Sequence, residues 1–349
     1  MERRLILADG TVVSGNAFGS SKPARGELVF TTSMTGYMET LSDPSYRGQM
    51  VIFTSPTIAN YSPDNSKLQS RGLHASALIT RDAHTTLPIG GDWAKFNRLL
   101  DENGIPGIDG VDTRFLVRRI REHGVMPAVI ADGDLEPEPF MDSMKENLVG
   151  QVSTREPEEY RGAGKHQYLL VDLGVKKSII ENLLRTGSVT VVPYDYDIES
   201  VAGRYDSVIF SNGPGDPDHK ALHPLRKAIN RLAGNIPMIG ICLGIQVIAL
   251  SLGGKTVKMK YGHRGSNHAV TDGRKIMITS HNHGYAVDRD SIHGTGLEVL
   301  EWDINDGTVE KIRSVSDGIL AVQYHPEGMP GPDDAREFFT EVSRMSGAN

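Results

Sequence analysis

The stretch Ile236-Pro237-Met238-Ile239-Gly240-Ile241-Cys242-Leu243-Gly244-Ile245-Gln246, continuing into Val247-Ile248-Ala249-Leu250, decides how this chain reads. Its first half is a short apolar run opened by proline, which suits a buried strand. Its second half suits a helix. The two meet at Cys242, between Gly240 and Gly244. A strand, a sharp turn and a helix with a reactive residue at the turn form a nucleophile elbow, here with sulfur in place of a hydroxyl. Gly240 allows the tight turn, and Gly244 lets the helix pack close to neighbouring backbone. The positive end of that helix lies under the sulfur and favours a negative charge there. Cys242 is the only cysteine of the chain. A lone cysteine is more often a small buried apolar residue, so the case for chemistry rests on what surrounds it.

Downstream, Val322-Gln323-Tyr324-His325-Pro326-Glu327 ends another apolar run. Residues two apart in an extended chain face the same way, and the intervening proline stiffens the step. Glu327 is therefore expected to orient the His325 ring, leaving the other ring nitrogen for the sulfur. Cysteine, histidine and carboxylate are the parts of a thiol-based acyl-transfer site. Such a site also needs N–H donors aimed at the developing oxyanion. The Gly213 and Leu243 amides are the expected pair, with Gly213 in Ser211-Asn212-Gly213-Pro214-Gly215-Asp216-Pro217. That segment equally reads as a plain turn. A second segment, Ser280-His281-Asn282-His283-Gly284-Tyr285, reads as a loop suited to binding a polar zwitterion. Its histidines have no His-Glu-x-x-His helix and no acidic partner at ligand spacing, so no metal is expected.

The chain has 349 residues, about two domains' worth. Its 38% hydrophobic and 23% charged residues are those of a globular protein. A net charge of −7 argues against a nucleic-acid partner. No apolar run approaches the ~18 residues of a membrane helix, and the first residues do not read as a signal peptide. A single cysteine excludes an internal disulfide framework and suits the cytoplasm.

Three segments are expected. Residues 1–150 read as a β-rich α+β domain. It opens with a hairpin over Asp9-Gly10, has strands near Glu27, Gln49 and Ala75, and helices at Trp93–Leu100 and Thr113–Glu122, the second with an apolar stripe of Phe115, Leu116 and Ile120. Residues 151–167, including Arg155-Glu156-Pro157-Glu158-Glu159-Tyr160-Arg161-Gly162, read as a linker. Residues 168–349 alternate apolar strands with helices, then turn antiparallel near Ile276, Leu297, Lys311 and Ile319. This predicts an α/β domain with a mixed, mostly parallel sheet flanked by helices.

The set Ser-Asn-Gly-Pro-Gly-Asp-Pro, Gly-x-Cys-x-Gly-x-Gln and His-Pro-Glu resembles the class I (triad) glutamine amidotransferases over about residues 168–345. Three further stretches are similar to the small-chain family of carbamoyl-phosphate synthetases: Thr31 to Tyr46, Gly107 to Arg114, and Tyr261 to His268. This resemblance implies Cys242 as nucleophile, His325 as base and Glu327 as its partner. It implies glutamine contacts at Ser45, Gly213, Gly215, Leu243, Gln246, Asn282, Gly284 and Tyr285. It also implies a glutaminase that needs no metal or organic cofactor and passes ammonia to a large chain, bound largely through the front domain. ATP and Mg belong to that large chain, and carbamoyl phosphate feeds arginine or pyrimidine synthesis. This sequence has His281 where the family often has Gln, Tyr285 where it often has Phe, and Gly-Ser-Asn-His-Ala for Gly-Gly-Asn-His-Pro. Rival readings are an amidotransferase subunit for another synthase, a glutamine-sensing subunit without turnover, and a free-standing cysteine hydrolase.

Overall fold

Strands Glu2–Leu7 (β1) and Val12–Gly19 (β2) pair antiparallel across Asp9-Gly10, where Gly10 takes φ 86 and the Thr11 amide donates to the Asp9 carboxylate. Leu7 pairs with Thr11, so the loop is the three residues Ala8 to Gly10 rather than a two-residue turn, and its last position needs a positive φ, which glycine supplies without strain. The computed structural model describes residues 2–83, 92–133 and 140–347, which fall into two compact units, up to Glu146 and from Asn147 onward.

The first unit continues with Ala24–Thr31 (β3), Tyr37–Ser42 (α1), Gln49–Phe53 (β4), Ala77–Ile79 (β5), Trp93–Glu102 (α2), Pro106–Asp109 (β6), Thr113–His123 (α3) and Met126–Asp132 (β7). Its strands close into a barrel in the order β1-β2-β6-β5-β4-β3-β7. Closure removes the exposed edges an open sheet would carry. Helix α3 buries Leu116 and Ile120 but leaves Phe115 45% exposed, because Phe115 stands one helical step off the buried stripe. Arg3 is 2% exposed inside this unit. Its guanidinium donates to the carbonyls of Phe18, Gly107 and Ser20 at 2.7, 2.9 and 2.8 Å, and to both oxygens of Asp132. One cation thus ties together β1, β2, β6, β7 and the chain after β2.

The second unit comprises Val149–Val152 (α4), Glu158–Tyr160 (β8), His166–Asp172 (β9), Lys177–Leu183 (α5), Gly187–Pro193 (β10), Ser207–Phe210 (β11), His223–Leu232 (α6), Met238–Ile241 (β12), Leu243–Ser251 (α7), Thr256–Thr271 (β13), Ile276–Val287 (β14), Glu298–Asp303 (β15), Val309–Ser314 (β16), Ile319–Val322 (β17) and Glu337–Ser346 (α8). They build one sheet in the order β14-β13-β15-β16-β17-β12-β11-β9-β10-β8. The strands β10, β9, β11, β12 and β17 run parallel, and β16, β15, β13 and β14 extend them antiparallel.

The parallel strands are apolar throughout because both faces are covered. Leu169, Val171, Val208, Phe210 and Met238 face one layer with α6 and α7. Tyr168, Leu170, Ile209, Ile239 and Ile241 face the other, with α5 and α8. The stretch 151–167, expected as a linker, belongs to this unit. It contributes β8, which pairs antiparallel with β10 at the sheet edge, and Tyr160 packs on the core. Glycines and charges fit an edge strand as well as a linker, since an edge strand keeps one side in solvent. No helix among the described residues is long and apolar enough to cross a membrane.

Replacing Arg3 by Met leaves three carbonyls and the Asp132 carboxylate unpaired in the barrel wall, and should cost about 3–5 kcal/mol. In a Trp302→Phe background, Trp93 fluorescence during urea unfolding reads the first unit alone. An unchanged midpoint there would mean that Arg3 does not hold the barrel.

Candidate active site

Strand β12 ends at Ile241 and α7 begins at Leu243, so Cys242 alone makes the turn, with φ 54 and ψ −100. Three contacts hold it there. The Cys242 amide donates to the Val322 carbonyl at 2.8 Å. A side chain at Gly240 would stand 2.7 Å from the Gly244 backbone. One at Gly244 would stand 2.2 Å from the Phe210 carbonyl oxygen. Both glycines are therefore demanded by close approach of backbones. Cys242 is 2% exposed, and its Sγ lies 3.7 Å from the Asn282 carbonyl oxygen, to which the thiol can donate.

His325 follows the end of β17, and its amide donates to the Ser280 carbonyl at 2.8 Å. Its Nδ1 is 2.7 Å from Glu327 Oε1. Its Nε2 is buried, and the Cys242 side chain is the neighbour that acts on it. Burial alone would discharge this imidazole. Glu327 overcomes that, Cys242 adds to it, and the ring is raised to about 10. Burial likewise opposes a charge on Glu327, but Lys176 and His325 hold its carboxyl down at about 2.

Lys176 was not expected from the sequence. Its Nζ lies 2.7 Å from Glu327 Oε1 and donates to the Gly328 carbonyl at 3.2 Å, all of it buried. The turn after β9 delivers it. The Asp172 carboxylate accepts from the amides of Gly174, Val175 and Thr154 at 2.7–2.8 Å, and Asn212 Oδ1 accepts from the Lys176 amide at 3.1 Å. A usable signal existed: a lysine just ahead of a helix opposes the helix dipole, so it needs a carboxylate partner.

The other expected site residues lie on four parts of the chain. Gly213 lies beside the elbow: a side chain there would meet the Leu173 carbonyl oxygen at 2.0 Å and Leu243 Cδ2 at 3.0 Å. Gly215 takes φ 92. Gln246, one turn into α7, donates to the Tyr285 carbonyl at 2.7 Å and to Gln323 Oε1 at 3.0 Å. The Tyr285 hydroxyl donates to Asp216 at 3.3 Å, and Gly284 faces the Arg264 guanidinium. Asn282 and Gly284, expected on a loop, lie inside β14, paired with β13. The hairpin escaped the sequence because β13 is polar, with irregular register between Lys258 and His263 and between Gly265 and His268. Ser45 belongs to the first unit, buried on a single turn at Pro44–Tyr46 with its amide donating to Asp43 at 2.9 Å.

Two family models match the chain. Glutamine amidotransferase class-I covers residues 169–345, and the carbamoyl-phosphate synthase small chain, CPSase domain, covers residues 5–130. A carbamoyl phosphate synthase small chain from Thermoplasma acidophilum is 50% identical, over 99% of this chain and 98% of its own. The chain belongs to the carbamoyl phosphate synthase small chain family. Small chains from Thermoplasma volcanium and Methanosarcina mazei are 49% and 42% identical, each over 99% of both chains. As a carbamoyl phosphate synthase small chain with a class I glutamine amidotransferase domain, it is an amidotransferase subunit. The Cys242 elbow, the His325–Glu327 pair and Lys176 all lie within the residues matched by that domain model.

The buried charges of this small chain make a pH prediction. Glu327 is depressed from near 4.5 to about 2, so its stabilisation is present above 4.5 and lost as pH falls toward 2. His325 is raised from 6.5 to about 10, so its stabilisation is present below 6.5 and lost as pH rises through 10. Lys176→Met removes the largest influence lowering the Glu327 carboxyl. Acid unfolding followed by circular dichroism should then begin at higher pH than in the wild type. An unmoved acid limb would show that Lys176 does not set the charge on Glu327.

Proposed function

We propose that this chain is the glutaminase subunit of a glutamine-hydrolysing carbamoyl phosphate synthase. The observation that carries the reading is the Cys242 sulfur at a positive-φ elbow, electrostatically coupled to the His325 ring, with Glu327 at 2.7 Å on the ring's far nitrogen. A glutamine side-chain amide is attacked by the Cys242 thiolate at its carbonyl carbon. The oxyanion is received by the Leu243 and Gly213 amides. His325, held as imidazolium by Glu327, donates a proton to the leaving nitrogen and ammonia departs. The γ-glutamyl thioester remains. His325, now neutral, takes a proton from water, which attacks the thioester and releases glutamate.

Glutamine is held by Gly213, Gly215, Leu243, Gln246, Asn282, Gly284 and Tyr285. No metal or organic cofactor enters these steps. Ammonia passes to a large chain that binds ATP and Mg and makes carbamoyl phosphate from bicarbonate. The end-to-end similarity to carbamoyl phosphate synthase small chains supports this partner. The single cysteine supports a cytoplasmic setting.

Cys242→Ala, reconstituted with a large chain, should lose glutamine-dependent carbamoyl phosphate synthesis by about four orders of magnitude, while added ammonia still supports it. A variant that still released glutamate from glutamine would remove Cys242 from the reaction. A subunit that only senses glutamine would keep its effect in this variant.

A further inference from the structure

Three histidines and a glutamate from three strands converge beside the elbow. His263 on β13, His281 and His283 on β14, and Glu310 on β16 place their ligand atoms within 4.8 Å of one another, all buried. The separations are 3.1 Å for His281 Nδ1 to His283 Nε2, 3.8 Å for His281 Nδ1 to Glu310 Oε2, and 3.9 Å for His263 Nδ1 to Glu310 Oε1. Four ligands at the zinc distance of about 2.0–2.1 Å stand about 3.3 Å apart along a tetrahedron's edges. Two of these separations, and the 4.8 Å limit on the whole set, are wider than that edge, so the four side chains would draw inward to close on an ion.

The proton positions can be read from the outer partners. His283 Nδ1 faces the Tyr285 carbonyl at 2.9 Å, which only accepts, so the proton sits on Nδ1 and the lone pair on Nε2. His263 Nε2 faces the Asp306 carboxylate at 2.9 Å, which leaves the lone pair on Nδ1. Thr279 Oγ1 donates to the His268 carbonyl at 3.1 Å, so it accepts from His281 Nε2 at 2.7 Å and leaves the lone pair on Nδ1. Three imidazole lone pairs therefore point inward. In this tautomer two of them meet at 3.1 Å, a contact that a bound cation relieves and that the other His281 tautomer turns into a hydrogen bond. Glu310 is 0% exposed, and neither of its oxygens has a hydrogen-bond partner among the described residues. Outer acceptors on the far nitrogen of each ligating histidine are the usual support of a metal centre.

We infer that His263, His281, His283 and Glu310 form a closed structural site for a divalent transition metal of the zinc class. Three nitrogens and one carboxylate suit zinc, and a full set of protein ligands leaves no position for chemistry. The site is separate from glutamine hydrolysis and does not rest on it. Its structural effect is local: His281 and His283 flank Asn282, whose carbonyl faces the Cys242 sulfur, so a bound ion would pin that peptide. The sequence concealed the site because its acidic ligand arrives from β16, far outside any local spacing.

The test uses the full-length protein, stripped with a chelator and titrated with Co(II). One equivalent should bring up the intense visible d–d bands of tetrahedral cobalt, with no thiolate charge-transfer band. Zn(II) should displace it. Glu310→Gln and His263→Gln should lose the bands, Cys242→Ser should keep them, and Asp306→Asn should bind about 10–100-fold more weakly. Should a variant not fold, X-ray absorption of the zinc-loaded wild type decides instead, with nitrogen and oxygen ligands at about 2.0–2.1 Å and no sulfur. Absence of tetrahedral bands in the wild type, a sulfur ligand, or bands that survive in folded Glu310→Gln would each overturn the inference.

Discussion

One residue is held where non-glycine residues seldom go. Cys242 sits at φ 54 and ψ −100 because the sheet and the following helix leave its backbone no other path. Such a conformation costs on the order of 1–3 kcal/mol, and the surroundings must supply that. They do so through the amide bond to Val322, the approach of Gly240 to Gly244, and the seating of Gly244 on the Phe210 carbonyl. The buried parallel strands set the positions of Val322 and Phe210, so the apolar core and the elbow form one mechanical unit. At this turn the sulfur faces the Asn282 carbonyl and acts on the His325 ring.

The second constraint is electrostatic. Lys176, Glu327 and His325 form a chain of alternating charge, each member almost wholly buried. Burial opposes ionisation at both Glu327 and His325, yet both are held charged, because each has an opposite charge within 2.7 Å. Buried ions bring little stability unless their partners are close and their geometry is fixed. Here the Asp172 turn and Asn212 fix Lys176, and the His-Pro-Glu step fixes the other two. Both constraints fall on the carboxyl ends of neighbouring parallel strands, where open α/β sheets gather reactive groups.

The strand–cysteine–helix arrangement was legible from Ile236 to Leu250, because apolar runs and glycine placement report directly on close backbone packing. The His325–Glu327 contact was legible because two-residue spacing is local geometry. What escaped was non-local. Lys176 meets Glu327 only after the sheet is assembled. The barrel closes through β1–β7 and β3–β7 pairings that no local pattern announces. The hairpin of β13 and β14 hid behind polar residues and register breaks, so Ser280 to Tyr285 read as a loop. Once that stretch is seen as strand, His281 and His283 share a face, and His263 and Glu310 become their neighbours.

The proposed glutaminase reaction requires that a covalent bond to the Cys242 sulfur forms during turnover. The direct measurement is acid quenching of the complex with its large chain while it consumes glutamine, followed by peptide mass spectrometry. A single γ-glutamyl adduct on the peptide containing Cys242, labile to mild base, is the expected result. Steady glutamate release with that peptide unmodified, or with the adduct on another residue, would contradict it.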